Sequence, residues 1–195
     1  MKSCSDNAFE LAIVDPPYNL QRFRDGVRKG DRLSNNNPNG KLWNNNAPDE
    51  EYFKELFRIS ENQIIWGANN FQLPPTEYFC IWNKKQTVDN FASAEYAWVS
   101  MGLKKPAKVF DYAIHKHNHT KKTHPTQKPV SLYKWLLTNY AKPKDKILDT
   151  HLGSGSIAIA CHDLHFDLVG CELDADYFKA AEKRLKTHQS QLTFL

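Results

Sequence analysis

Residues 147–172 read ILDTHLGSGSIAIACHDLHFDLVGCE and decide the fold class, because two short strands flank a glycine turn and a helix. The apolar residues at Ile147–Asp149 and again at Asp167–Glu172 predict strands. The intervening stretch Ser156–Leu164 has the pattern of a helix, and a second helix is predicted from Ala175 to about His188. Strand, helix and strand in this order predict two parallel strands joined by a helical crossover.

The rest of the chain adds strands and helices to this unit. Apolar segments rich in β-branched and aromatic residues predict strands at 11–14, 63–67, 78–82, 94–99 and 109–114. Two further helices are predicted, one beginning after the N-cap Asp49 and one capped by Ser131. Residues Leu192–Leu195 are a candidate last strand. The pattern is that of an α/β protein.

Length and composition exclude several classes of protein. A chain of 195 residues is expected to form one domain with a substantial core. Neither a stretch of 18 apolar residues nor a signal peptide is present, so membrane insertion and secretion are not expected. The four cysteines form no C-x-x-C pair, and reduced thiols in a cytoplasmic protein are the simplest interpretation.

The net charge of +4 is concentrated in two stretches. Residues 21–46 contain six basic and two acidic side chains, and residues 101–128 contain seven lysines against Asp111 alone. Two basic stretches in an otherwise balanced chain favour a polyanionic partner. Solvated loops would show the same charge pattern, and composition alone does not separate the two interpretations.

The glycine turn between Asp149 and Ser156 has the features of a cofactor site. Gly153 and Gly155 allow close approach of the backbone, and the following helix exposes unpaired N–H groups at its start. Glu172 ends the next strand, where a carboxylate can accept hydrogen bonds from ribose hydroxyls. The third glycine of the dinucleotide fingerprint is missing, and Asp149 suits a cofactor with an amino-acid cation, such as S-adenosylmethionine. A tight turn without a ligand is the alternative.

A second cluster, Asp15–Tyr18, follows the predicted strand at 11–14 and has the sequence Asp-Pro-Pro-Tyr. Neither proline has an N–H group, so the turn offers mainly hydrogen-bond acceptors. Acceptors at the carboxyl end of a strand suit a substrate that donates, such as the exocyclic amine of a nucleobase. The alternative is a proline turn that simply ends the strand.

Together these motifs resemble the N4/N6 amino-methyltransferases of DNA. The resemblance rests on Asp15–Tyr18, Ile64–Gly67, His124–Pro129 and the glycine turn with Glu172, in the motif order of the β class. It spans about residues 7–186. It implies a single domain over 1–195, with a mostly parallel sheet of about seven strands and helices on both faces.

The resemblance also implies which residues form the site. It assigns the catalytic contacts to Asp15, Pro16, Pro17 and Tyr18. It assigns S-adenosylmethionine to Asp149, Gly153, Ser154, Gly155 and Glu172, with Thr126, Gln127 and Lys128 closing over the cofactor. The acceptors of the first set would bind the amine of a flipped base, and Tyr18 would stack on that base. A cytosine-C5 mechanism needs a Pro-Cys nucleophile, which the sequence lacks.

The expected substrate is adenine N6 in double-stranded DNA, because a leading Asp in the tetrapeptide is similar to adenine enzymes of the family. Cytosine N4, RNA, and a binding protein without catalysis are the alternatives. The polar segments 19–48 and 103–128 are candidates for DNA recognition. The resemblance further implies a cytoplasmic protein of the restriction-modification type, and a homodimer is compatible with it.

Alternating histidines at 115, 117 and 119, with His124 beyond them, could in principle bind a metal. No cysteine or acidic ligand accompanies them, and the expected chemistry needs no metal. The sequence therefore predicts no metal site.

Overall fold

The computed structural model describes residues 1–18, 47–89, 91–115, 124 and 126–191. In these residues the chain forms a seven-stranded sheet with four α-helices. The strands are β1 (Phe9–Val14), β2 (Ser60–Trp66), β3 (Phe79–Asn83), β4 (Ala94–Val99), β5 (Lys108–Asp111), β6 (Lys146–Asp149) and β7 (Asp167–Gly170). The helices are α1 (Glu50–Ile59), α2 (Val130–Tyr140), α3 (Ser156–Leu164) and α4 (Ala175–Gln189).

The strand order across the sheet is β5-β3-β4-β2-β1-β6-β7. β1 lies beside β2 and β6 and is parallel to both, and β7 continues the parallel arrangement beyond β6. β4 runs antiparallel to its neighbours β2 and β3. The other paired strands are parallel, so the sheet is mostly parallel, as expected. Since parallel strands end at the same edge, the segments that follow β1, β6 and β7 meet there.

Helices cover both faces of the sheet. On one face Leu11, Ile13 and Ile147 pack against apolar side chains of α2 and α3. On the other face the alternate β1 residues, Ala12 and Val14, pack against α1. The alternation of these two sets in β1 shows why an apolar run there is a central strand buried on both sides.

Most predicted elements are confirmed, with shifted ends. Asp49 is the N-cap of α1 and accepts a hydrogen bond from the Tyr52 N–H at 2.9 Å. The prediction that Ser131 caps α2 is wrong, because the helix begins at Val130 with Pro129 in the cap position. The fixed φ of a proline suits this position, where the chain turns from extended to helical. The candidate strand at 192–195 lies outside the described residues.

The structure also describes the cysteines, the apolar character of the helices and the arrangement of side chains that could bind a metal. The four cysteines are free thiols. In the described residues no helix is long and apolar enough to cross a membrane. The same ranges contain no group of three metal-ligating side chains, and His117 and His119 lie outside them.

Candidate active site

A cleft of about 790 Å³ opens at the carboxyl edge of the sheet. It is lined by residues that follow β1, β6 and β7, together with the start of α1 and the segment before α2. Its lining includes Asp15–Tyr18, Thr126–Lys128, Leu152–Ser154 and Glu172. The two motif clusters of the sequence therefore share one cavity, whose size suits a small-molecule ligand.

The glycine turn is held in a conformation that side chains disfavour. Gly153 and Gly155 have φ angles of 51° and 69°, in the left-handed region where glycine is preferred. A Cβ on Gly155 would also lie 3.0 Å from Cβ of Ala181 in α4. Gly155 therefore serves the packing of α3 on α4, and it is Gly153 that lines the cleft.

Glu172 is tied to the glycine turn through both carboxylate oxygens. Oε2 accepts a hydrogen bond from the Gly153 N–H at 2.9 Å, and Oε1 accepts one from the Asp174 N–H at 3.0 Å. These contacts fix the carboxylate at the wall of the cleft. Each oxygen retains a second lone pair that a ligand hydroxyl could use.

Asp149 lies beneath the turn and is only 1% exposed. It does not line the cleft, and its Oδ1 accepts a hydrogen bond from the His151 N–H at 2.9 Å. Burial raises the pKa of Asp149 to about 7. Burial also lowers the pKa of the neighbouring His151 to about 4, so the imidazole is neutral at pH 7. A cation bound above this pair would favour the ionised form of Asp149.

A polar network links the turn to α4 and to the segment before α2. Arg184 of α4 donates to the Ser154 carbonyl at 2.8 Å and to Oγ of Ser156 at 2.9 Å. The Ser156 hydroxyl donates to the Lys128 carbonyl at 2.7 Å. The Ser154 side chain is buried in this network, so its backbone is the part that can face a ligand.

Asp15, at the end of β1, is held by two partners. Its Oδ1 accepts a hydrogen bond from the Tyr18 hydroxyl at 3.1 Å, and its Oδ2 forms an ion pair with Nζ of Lys128. The resemblance implies that Lys128 closes over the cofactor together with Thr126 and Gln127. Lys128 lines the cleft, and its side chain contacts the Asp15 carboxylate, 113 residues away in the chain.

The ion pair continues into a chain of four charges. Nζ of Lys128 lies 3.2 Å from Oε2 of Glu95 in β4, and Oε1 of Glu95 lies 2.6 Å from Nζ of Lys84. Burial disfavours the charge on Lys128, but Asp15 and Glu95 outweigh it and raise the Lys128 pKa well above its ordinary value. Burial likewise disfavours the charge on Glu95, but Lys128 and Lys84 hold its pKa at about 2.

Two residues of the Ile64–Gly67 motif contact the partners of Asp15, which are Lys128 and Tyr18. Nζ of Lys128 lies 5.6 Å from the centre of the Trp66 ring, within range of a cation–π interaction. Gly67 has a φ of 65°, and a Cβ there would lie 2.1 Å from the Tyr18 ring. Only glycine lets Tyr18 pack in this position. Burial is the main cause that raises the Tyr18 pKa above its ordinary value.

Two residues at the site belong to none of the sequence motifs and were not predicted from the sequence. Tyr52 of α1 lines the cleft, and its hydroxyl lies 2.7 Å from Oγ1 of Thr150. Glu95 is an acidic residue in an otherwise apolar strand, which is the one signal in the sequence that marks it. The other predicted residues, Pro16, Pro17, Thr126 and Gln127, all line the cleft.

The sequence of the chain is similar to that of known proteins. The DNA methylase family of N6/N4 methyltransferases matches residues 61–183. The chain is 26% identical to the type II methyltransferase M.HinfI of Haemophilus influenzae, over 95% of this chain and 65% of that protein. It is 23% identical to M.HpaI of Haemophilus parainfluenzae, over 95% and 70%. The chain thus spans about two thirds of the length of M.HinfI.

Solved structures share the fold. The complex of M1.HpyAVI with SAM superimposes with a TM-score of 0.58 at 20% identity, covering 92% of this chain and 90% of that one. TTHA0409 from Thermus thermophilus also gives 0.58 at 15% identity, over 98% and 92%. The cytosine-N4-specific PvuII DNA methyltransferase gives 0.57 at 11% identity, over 96% and 86%. With a family match over more than half of its length, the chain belongs to the N6/N4 DNA methylase family.

Proposed function

We propose that the protein is an S-adenosylmethionine-dependent DNA methyltransferase that modifies the exocyclic N6 of adenine. The observation that carries the proposal is that Asp15 and the glycine turn line one cleft. A hydrogen-bond acceptor for an amine and a backbone turn for a cofactor are the two parts that amine methylation requires. Membership of the N6/N4 family and the type II methyltransferase relatives support methylation of an amine in DNA, and Asp15 at the head of the tetrapeptide favours adenine.

The residues around the cleft fit S-adenosylmethionine, which supplies an electrophilic methyl group on a sulfonium when bound. Glu172 would hold the ribose hydroxyls, and Gly153 and Ser154 would present backbone to the amino-acid end. Asp149 beneath the turn would complement its ammonium group through charge, and Gly155 would keep the turn in shape. Thr126, Gln127 and Lys128 would close over the cofactor from the segment before α2. The cavity volume and this donor and acceptor set support the assignment.

The tetrapeptide would prepare the target amine for attack. The lone pair of an adenine amine is delocalised into the ring, so the nitrogen is a poor nucleophile. Acceptors at the Asp15 carboxylate and the Pro16 carbonyl would bind the two N–H bonds and favour a pyramidal nitrogen. The amine becomes acidic only after it is methylated, so Asp15 need not be a strong base beforehand.

The target base must leave the duplex before it can reach Asp15. Tyr18 and Pro17 would then contact the base, with Tyr18 as the stacking surface. We favour adenine over cytosine because the tetrapeptide begins with Asp15. Methylation of cytosine N4 by the same residues is the alternative, and the product identifies the base.

We also propose that residues 1–195 form one methyltransferase domain, acting on double-stranded DNA in the cytoplasm. Of the candidate recognition segments 19–48 and 103–128, residues 19–46, 116–123 and 125 lie outside the described residues, and the described part of the second segment includes β5. They retain this role as proposals, as does a homodimer. Light scattering in the presence and absence of DNA would measure the oligomeric state.

Two substitutions separate chemistry from cofactor binding. Asp15→Ala should abolish methyl transfer to DNA from labelled S-adenosylmethionine while calorimetry still detects cofactor binding. Glu172→Ala should instead weaken cofactor binding by about 10-fold or more, because charged hydrogen bonds of this kind contribute about 1.5–3 kcal/mol. Near-normal turnover in the first variant would refute the role of Asp15. Unchanged affinity in the second would remove Glu172 from the ribose site.

A further inference from the structure

We infer that Glu95 is a positioning residue, which balances the charge of Lys128 so that the site around Asp15 can accept the positive charge that develops on the target amine. The inference rests on the proposed function. It assigns a role in methylation to a residue of β4 that belongs to neither motif cluster.

The geometry begins with the position of Lys128. Its side chain is buried, and its ammonium lies between the carboxylates of Asp15 and Glu95. Oε2 of Glu95 is shielded from solvent and lies 3.2 Å from Nζ of Lys128, an ion pair without hydrogen-bond geometry. The ammonium is therefore shared between Glu95 and Asp15. Lys84, 2.6 Å from the other oxygen of Glu95, completes the chain.

The formal charges of Asp15, Lys128, Glu95 and Lys84 sum to zero. During methyl transfer the amine nitrogen forms a bond to the methyl carbon as the carbon–sulfur bond breaks. Positive charge moves from sulfur to nitrogen, and one N–H proton is then released to solvent. Without the Glu95 charge, the same chain would carry a net charge of +1 beside this nitrogen and would oppose the step.

The charges also predict effects of opposite sign for the removal of the Glu95 charge and the removal of the Lys84 charge. Glu95→Gln keeps the size of the side chain and removes its charge, so single-turnover methyl transfer should slow by about 10- to 100-fold. Lys84→Gln removes a positive charge, so transfer should accelerate by about two- to fivefold. A residue that only stabilised the fold would slow the reaction in both variants. Glu55→Gln, at a carboxylate paired with Arg58 on α1, is the matched control and should keep the wild-type rate.

Thermal unfolding supplies a readout independent of activity. Lys128→Met leaves two neighbouring carboxylates without their shared cation and should lower the Tm by several degrees. Adding Glu95→Gln to that variant removes one of these charges and should raise the Tm again. A double variant that is less stable than Lys128→Met would show that the two side chains are not coupled, and would overturn the inference.

The outcomes separate the inference from the proposed function. A wild-type protein that methylates no DNA refutes the proposed function, while the unfolding measurements still report the coupling. An active wild type with Glu95→Gln slowed more than threefold, and with cofactor affinity within twofold, supports the inference. A smaller change in rate, an equal loss of cofactor affinity, or slowing by Lys84→Gln overturns it.

Discussion

The position and charge of single residues in the site depend on the space and the charges that their neighbours provide. Tyr18 can pack above Gly67 because this position has no side chain, and its hydroxyl then reaches Asp15. Lys128 can remain charged while buried because two carboxylates surround it. The tryptophan before Gly67 adds its ring beneath the ammonium. The roles of Asp15, Tyr18 and Lys128 therefore depend on small features of β2 and the turn that follows it.

Substitution of Gly67 tests this dependence. Gly67→Ala should displace the Tyr18 ring, since the new Cβ would overlap it and the φ of 65° disfavours any side chain. We expect a loss of about 1–3 kcal/mol in unfolding free energy and at least a 10-fold slower methyl transfer. Denaturant unfolding and single-turnover kinetics measure the two effects. Gly102→Ala, whose Cβ would meet only the end of the Asn62 side chain, is the control.

The raised pKa of Asp149 predicts a specific pH dependence of the free energy of unfolding. Its pKa of about 7 in the fold lies above the ordinary value near 4, so its stabilising contribution is present below about pH 4 and is lost as the pH rises through 7. Asp149→Asn keeps an acceptor for the His151 N–H and removes this titration. Between pH 4 and 8 the wild type should lose about 2–4 kcal/mol more than the variant, measured by denaturant unfolding without cofactor. Parallel pH profiles would contradict the assignment.

Helices and strands were predictable where their apolar pattern is strong. The sequence indicates two strands at β1 and β4 and a helix at α3, because each segment is rich in apolar side chains that suit that type of element. The start of α2 was not predictable, since Ser131 is a good cap in isolation. Here the segment before the helix is fixed by tertiary contacts of Lys128, and the helix begins earlier, at Val130. These tertiary contacts outweigh the local preference of Ser131 for the N-cap position.

The support that α4 gives to the glycine turn is testable. Arg184 holds the turn through the Ser154 carbonyl and the Ser156 hydroxyl. Arg184→Met should weaken S-adenosylmethionine binding about 3- to 30-fold, because charged hydrogen bonds that shape the turn are lost. Lys186→Met, in the same helix with an exposed side chain paired to Glu182, should bind the cofactor like the wild type. Calorimetry measures both. Equal affinity in the two variants would show that the turn needs no support from α4.

In the whole molecule, the sheet order brings distant motifs together. β1 lies between β2 and β6, so Asp15, Gly67 and the glycine turn reach one edge. The motifs themselves were visible in the sequence, and their resemblance to a family predicted a shared site. The direction of the Lys128 side chain and the role of Glu95 were not visible. Both depend on β4 packing beside β2, a long-range pairing that no local pattern encodes.

The central claim is that this cleft methylates the amine of adenine in DNA. The most direct test incubates the protein with S-adenosylmethionine and unmethylated genomic DNA, digests the DNA to nucleosides and identifies the methylated product by mass spectrometry. The account predicts N6-methyladenine, formed by the wild type and absent with Asp15→Ala. N4-methylcytosine as the sole product would contradict the choice of base, and no methylated nucleoside on any DNA would contradict the activity.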